Sequence, residues 1–332
     1  MFLLKSLIGI RGHDAARQGR VCRLSRSQRW TGPLLFERLE NRPCLSTQRE
    51  RVMKRHLLIA TLFGIVMAAV VPCAHADLYV ISYGSNSVLR YNEMTGAFID
   101  KFVSFGSSDP RGLLIGHDGN LYLSSFSTNT VMRYDGTTGA PLPAPGQTGA
   151  VFASGGGLQG AAGLILGRDG NLYVNSQTNN RVLRYSGTTG VFLDVFVPAG
   201  SGGLKGPRKL LFGPDGNLYS SHFGGDGSSS AILRYDGTTG APLPAPGQTG
   251  ALFASLPRMD IHQFGFGPEG NLYIANNADS SVERFDGATG EFIDTFIPPG
   301  SGGLNAPLGP IFGPDNNVYL SSWGRAGKQS RS

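Results

Sequence analysis

The sequence predicts an all-β protein, a β-propeller of four-stranded blades. Three observations carry that expectation. An Asn-Leu-Tyr element recurs at 120–122, 171–173, 217–219 and 271–273, with variants at 77–79 and 317–319, at spacings of 43, 51, 46, 54 and 46 residues. Each unit holds short apolar stretches of period two bounded by Asp-Gly and Thr-Gly turns, which is the patterning of strands and hairpins. No stretch after residue 76 has helical periodicity of useful length. Four short strands in 43–54 residues is the period of a blade that buries both faces by stacking on its neighbours.

Each element of the unit follows in order. An apolar first strand ends in Gly-x-Asp-Gly, as at Gly116-His117-Asp118-Gly119. Asp-Gly suits a tight hairpin in which both central residues take positive φ. Glu269-Gly270 and Asp315-Asn316 fill the same place. The second strand carries apolar or aromatic residues on both parities, as in Leu172-Tyr173-Val174-Asn175, because both of its faces are covered. A third strand of the Val-Leu-Arg-Tyr type then reverses at Asp135-Gly136-Thr137-Thr138-Gly139 and its copies. Arg90, Arg133, Arg184, Arg234 and Arg284 recur before Tyr or Phe. Copies spread around a ring do not converge, so these arginines are expected to pack their stems and stack on aromatics.

A second periodicity sets the blade count. Residues 134–150 read YDGTTGAPLPAPGQTGA and recur identically at 235–251, while FLDVFVPAGSGGLKGP after Val191 has its counterpart in FIDTFIPPGSGGLNAP after Glu291. Long and short units alternate, and the order short, long, short, long, short, then a partial unit at 308–323 predicts six blades with an incomplete last one. The alternative is five, with the strand near Pro310-Ile311-Phe312 completing the first blade. Either way the propeller spans 77–323, followed by a polar tail at 324–332.

Charge divides the chain. Formal charge is +6 and pI near 9.3, a balance that taken whole points to nucleic acid. Residues 1–76 hold 13 Lys/Arg and 4 Asp/Glu, whereas 77–332 hold 16 and 19. The folded part is therefore mildly acidic, which excludes nucleic acid as a partner on charge grounds. Cys22, Cys44 and Cys73 all precede residue 77, so the propeller has no disulfide, thiol nucleophile or cysteine metal site. Met53-Lys54-Arg55, the apolar run Leu57–Val71 and Cys73-Ala74-His75-Ala76 have the layout of a signal peptide over 53–76. Cleavage between Ala76 and Asp77 predicts export to the periplasm or beyond, with no stable membrane insertion afterwards. The basic extension at 1–52 is expected to be disordered.

Phe212-Gly213-Pro214-Asp215-Gly216-Asn217-Leu218-Tyr219 and Ala231-Ile232-Leu233-Arg234-Tyr235-Asp236 resemble NHL repeats, within a wider group of gluconolactonase-like and streptogramin-lyase-like propellers. The resemblance covers 77–323, is specific for fold and is weak for activity. Separately, Leu35-Phe36-Glu37-Arg38-Leu39-Glu40-Asn41-Arg42-Pro43-Cys44-Leu45-Ser46 resembles a Leu-Glu-x-Arg-x-Leu-Leu-Ser-type motif of exported bacterial proteins.

Candidate chemistry lies where a residue departs from its repeat column. Just before the first strand stand Arg111, Ala162, Arg208, His262 and Leu308; after the Asn-Leu-Tyr strand stand Ser82, Ser125, Ser176, His222, Asn276 and Ser322, then Tyr83, Phe126, Gln177, Phe223, Asn277 and Trp323. A ligand site at the channel mouth is expected from Arg111, Arg208, His222, His262, Asn276 and Trp323. His222, His262 and Arg208 are its only catalytic candidates, as acid/base groups and an anion-polarising cation. The streptogramin-lyase resemblance implies a catalytic Glu at the position of Asn276, and an amide cannot exchange a proton as a carboxylate does; Glu283 is nearby in sequence. The gluconolactonase resemblance implies a divalent metal, to which Asn175, Asn276, Asp260 and Asp109 are the available oxygens. With no compact acidic cluster, no cofactor is expected. The reading is a secreted binding or interaction module for a protein, carbohydrate or small molecule; the alternative is a lyase or lactone hydrolase.

Overall fold

A computed structural model describes residues 8–10 and 77–322, apart from 83, 94, 107, 224–229, 258, 314 and 315. The proposed signal peptide with Ala76, the motif at 35–46, Trp323 and the tail lie outside the described residues. Among the described residues no helix is long and apolar enough to cross a membrane.

After a short strand β1 (Ile8–Ile10), the chain lays down antiparallel sheets in sequence order. The first blade is β2 (Leu78–Ser82), β3 (Ser87–Tyr91) and β4 (Phe98–Ser104). The second is β5 (Pro110–Ile115), β6 (Leu121–Ser125), β7 (Thr130–Tyr134) and β8 (Val151–Ser154). The third is β9 (Ala161–Leu166), β10 (Leu172–Ser176), β11 (Arg181–Tyr185) and β12 (Phe192–Val197). The fourth is β13 (Leu210–Phe212), β14 (Leu218–His222), β15 (Ala231–Tyr235) and β16 (Leu252–Ala254). The fifth is β17 (Ile261–Phe266), β18 (Leu272–Asn276), β19 (Ser281–Phe285) and β20 (Phe292–Ile297).

The expected sixth blade is not built. After the fifth, only the hairpin of β21 (Pro307–Phe312) and β22 (Val318–Ser322) remains, with β1 along the edge of β22. Two strands cannot cover both faces of a blade, so the count is five. The closure imagined for five blades is absent too: among the described residues β21 pairs with β22 and packs on β17, not with β2.

The core lies between the sheets. One apolar cluster joins Tyr122, Val131 and Phe152 of the second blade to Leu172, Val174 and Leu183 of the third, and a similar one joins Tyr173 and Phe196 to Leu210, Leu218 and Tyr235 of the fourth. This is why the second strands are apolar on both parities.

The Asp-Gly turns differ from the expected tight hairpin. Only glycine takes positive φ, 75° at Gly170. The Gly170 N–H donates to Gly167 O at 3.0 Å and the Gly167 N–H to Asn171 O at 2.9 Å, a three-residue loop closed by a left-handed glycine. The aspartate instead organises the strand that follows. Asp169 accepts from the Asn171 amide at 2.7 Å and from the Tyr173 hydroxyl at 2.9 Å. Asp118, Asn120 and Tyr122, then Asp215, Asn217 and Tyr219, repeat the arrangement, so the Asn-Leu-Tyr signature is a hydrogen-bonded turn as well as a strand.

The recurrent arginines stack as expected. Arg133 lies 4.3 Å from the Phe152 ring centroid and Arg234 4.6 Å from that of Phe253. The alternation of unit length has a counterpart here. In short units the guanidinium meets an aspartate of the fourth strand, Asp100, Asp194 or Asp294; in long units Arg133 and Arg234 donate instead to the carbonyls of Leu142 and Leu243 in the Pro-rich loop.

Candidate functional site

The first strands of adjacent blades are neighbours around the axis: β9 packs on both β5 and β13. Each starts with an irregularity. Pairing skips Arg111 between Pro110 and Gly112, skips Leu308 between Pro307 and Gly309, and leaves His262 and Gln263 together between Ile261 and Phe264. In the fourth blade Arg208 and Lys209 both meet Ser221: the Arg208 N–H donates to Ser221 O, and Lys209 O accepts from the Ser221 N–H. The column that departs from its repeat is therefore a β-bulge in each of these sheets. A bulge takes a side chain out of the strict alternation that buries residues between sheets, and Arg111, Arg208, His262 and Leu308 stand at these bulges.

Two of the four predicted charged or histidine residues meet directly there. Arg208 Nη1 lies 3.0 Å from His262 Nε2 and 3.3 Å from Nδ1. Asp260 stands beside both, 3.7 Å from Arg208 Nη1 and 3.8 Å from His262 Nε2. The Arg208 guanidinium stacks 3.5 Å from the centroid of Phe223. Burial lowers the His262 pKa, and the charge of Arg208 pushes the same way; Asp260 opposes them, and Arg111 adds to the lowering. The imidazole is thus held toward its neutral form. Arg111 itself pairs with Asp109 at 2.8 Å and stacks over Phe126 at 4.8 Å. The two clusters are built alike: an aspartate two residues before the bulge and an aromatic behind the cation. Asp109 takes a left-handed φ of 44° where the next blades have Gly160 and Gly206, so the carboxylate is kept there against backbone preference.

The other predicted residues divide. His222 ends β14, next to Phe223. Asn276 is buried and engaged: its side-chain oxygen accepts from the Asp260 and Ala278 N–H groups, each at 3.2 Å, and its NH₂ donates to Asp279. It positions Asp260 rather than facing a ligand. Glu283 is buried, accepting from Ser281 at 2.6 Å and Thr295 at 2.8 Å. Asn175 is buried and donates to Ser220 of the fourth blade at 3.3 Å.

The implied divalent metal does not fit. Among the described residues no three His, Cys, Asp or Glu side chains gather; Asp109 and Asp260 each face a guanidinium, whereas a hard cation wants several converging oxygens. At the opposite end of the strands a cavity of about 510 Å³ lies between the third and fourth blades, lined by Asp169, Tyr173, Arg184, Asp215 and Asp236. Those residue types recur from blade to blade, so the cavity is a seam of the repeat.

Comparison with known proteins bears on the fold. No family model matches the chain, and no curated protein does. Solved structures are similar: virginiamycin B lyase from Staphylococcus aureus, at 15% identity over 76% of this chain and 75% of that one, with a TM-score of 0.51; a chain of a nidogen/laminin complex, at 16% over 72% and 83%, with a TM-score of 0.54; and a gluconolactonase from Xanthomonas campestris, at 17% over 74% and 82%, with a TM-score of 0.53. The expected likeness to lyase-type and gluconolactonase-type propellers is found, and at such identities it is a likeness of fold.

Proposed function

We propose that the chain is an exported bacterial binding module whose ligand presents a carboxylate or carbonyl oxygen at the bulge end of the propeller. One observation carries this: the bulged column sets Arg208 against His262, and Arg208 and Arg111 each have the guanidinium backed by a phenyl ring. Stacked guanidinium groups are pre-ordered donors for a planar acceptor. Asp109 and Asp260 hold the arginines in place of ligand, so a bound carboxylate exchanges one ion pair for another, and affinity is moderate. A small molecule or sugar acid suits this end best. Nucleic acid is not a partner for an acidic body. No cofactor enters the reading.

A second reading, a lyase or lactone hydrolase, rests on His262 alone. A neutral imidazole can accept a proton, although burial and the charge of Arg208 lower its basicity. The carboxylate that the lyase resemblance requires is an engaged amide at Asn276, and Glu283 is occupied by Ser281 and Thr295.

Thermal-shift and calorimetric screening with mono- and dicarboxylates, sugar acids and their lactones tests both readings. Ligands are expected that bind the protein at least tenfold more tightly than Arg111→Ala or Arg208→Ala, without being turned over. Hits that bind the double variant equally would remove the binding site from this end. Turnover of a lactone or ester lost in His262→Asn would favour the enzyme. N-terminal sequencing of the form found outside the cytoplasm tests export, with Asp77 expected first.

A further inference from the structure

Five Asn-Leu-Tyr-type strands have an inner strand beside them: β5 pairs with β6, β9 with β10, β13 with β14, β17 with β18 and β21 with β22. The first blade lacks one. Its sheet runs β2-β3-β4, so among the described residues β2 is an edge strand where every counterpart is flanked. Burial follows the difference. β6, β10 and β18 are buried at every residue, whereas β2 is partly exposed at every residue.

The inner strands on either side of the gap show it too. One column faces the preceding blade: Phe212, Phe266 and Phe312 meet Tyr173, Tyr219 and Tyr273 edge-on. That column begins with Ile115 on β5, which faces the first blade and is 52% exposed. The other column faces the following blade: Leu114, Ile165 and Leu211 each pack into the cluster shared with it. That column ends with Ile311 on β21, which is 63% exposed. Both residues lack the cover that an inner strand beside β2 would bring.

The strands that occupy this place in the other sheets define what fits. They read Gly112-Leu113-Leu114-Ile115, Gly163-Leu164-Ile165-Leu166, Lys209-Leu210-Leu211-Phe212, Gln263-Phe264-Gly265-Phe266 and Gly309-Pro310-Ile311-Phe312. The last three residues of each carry no charge and no polar side chain, because both faces are covered. This fold also adds such a segment to a free edge: β1 lies antiparallel along β22, with Ile8 opposite Leu320 and Ile10 opposite Val318. Within the exported form proposed above, Asp77 directly precedes β2, so no residue reaches the edge from that side. β21 is held by β22 and packed on β17. The occupant therefore comes from another protein.

We propose that the free edge of β2 is a docking slot for an extended segment of a partner protein, which adds antiparallel to β2 and completes the first blade. The segment presents three uncharged apolar residues in succession and covers Ile115. Its backbone pairs with the open N–H and C=O groups of β2, which supplies affinity, and its side chains supply specificity. The slot rests on the export reading; it is independent of the ligand proposed for Arg111 and Arg208.

A peptide copy of an inner strand tests it. The exported form is purified, its N-terminus is sequenced, and fluorescein-labelled AAGLILGR, the sequence of residues 161–168, is titrated by anisotropy. Saturable binding is expected, at least tenfold tighter than that of AAGPIPGR, whose prolines have no N–H for the ladder. The peptide should slow hydrogen exchange of β2 amides at least tenfold. Ile115→Glu should weaken binding at least tenfold, and Val191→Glu, an exposed site on the third blade, should leave it unchanged. Equal binding of the two peptides, or equal loss in Val191→Glu, would mean adsorption to apolar surface and overturns the proposal. So do β2 amides already protected in the free protein, which would place β21 or a second copy in the slot. A start well before Asp77 refutes the export reading and removes the premise of the slot; absence of binding by a chain that does start at Asp77 refutes the slot alone.

Discussion

The two ends of the strands are made from the same repeat and behave differently. At the turn end, Asp118, Asp169 and Asp215 each hold an asparagine and a tyrosine in nearly the same geometry. At the bulge end, the equivalent positions read Arg111, Ala162, Arg208, His262 and Leu308. A residue kept in every blade answers a need that every blade has, which is folding. A residue that differs between blades at a constant backbone position is released from that need, and the bulge supplies the release by turning it out of the core.

This contrast can be broken by experiment, the largest effect first. Tyr173→Ala removes a buried ring that meets Phe196 and Phe212 edge-on and anchors Asp169; it should cost about 3–5 kcal/mol in denaturant unfolding and leave the affinity of the bulge end unchanged in whatever remains folded. Gly163→Ala forces a methyl against the Arg208 carbonyl and should cost about 1–3 kcal/mol. It should also disturb ligand binding, because Arg208 moves with its backbone. Arg208→Ala is expected to cost no more than about 1 kcal/mol while lowering ligand affinity at least tenfold; a large loss of stability there would make the residue part of the fold.

The smallest effect is in pH, where the two ends act in separate windows. The pKa of His262 is lowered by folding. Below its unfolded value near 6.5 the unfolded chain takes up a proton that the folded chain refuses, so stability falls as pH drops from there toward the folded pKa. His262→Asn should flatten that slope. At Asp118 and Asp169 burial opposes ionisation, but hydrogen bonds from the asparagine, its backbone and the tyrosine outweigh it, and both carboxyls lie below the usual range. Their contribution is complete above about pH 4 and disappears as pH falls through the folded values. A pH titration of unfolding free energy should show two descending steps, of which only the upper responds to His262→Asn.

Much of the fold could be read directly because repetition makes local chemistry redundant. Four copies of Asn-Leu-Tyr with two variants at blade spacing, and five copies of Arg-Tyr or Arg-Phe, leave few other architectures. The blade count could not be read in this way. Whether a final pair of strands makes a blade depends on which edges pair, and Pro307–Phe312 chose β22 and β17 over β2. At the site, the columns singled out Arg208 and His262, which meet in the structure, because a departure from a repeat is visible without coordinates. The columns did not show that Asn276 and Glu283 are occupied, since Asp260, Ser281 and Thr295 become their partners only through turns and strand register.

The sequence alone determined the all-β architecture, the placement of the strands within each repeat, the acidic character of the body and the positions free of the repeat. Period-two patterning, turn chemistry and composition are local properties that each segment carries with it. Only the tertiary structure decided that there are five blades, that the variable column falls on β-bulges, and that Arg208 meets His262 across two blades. Those outcomes depend on which strands touch between neighbouring blades, where Gly163 meets Arg208 and Arg208 meets His262 from distant parts of the chain.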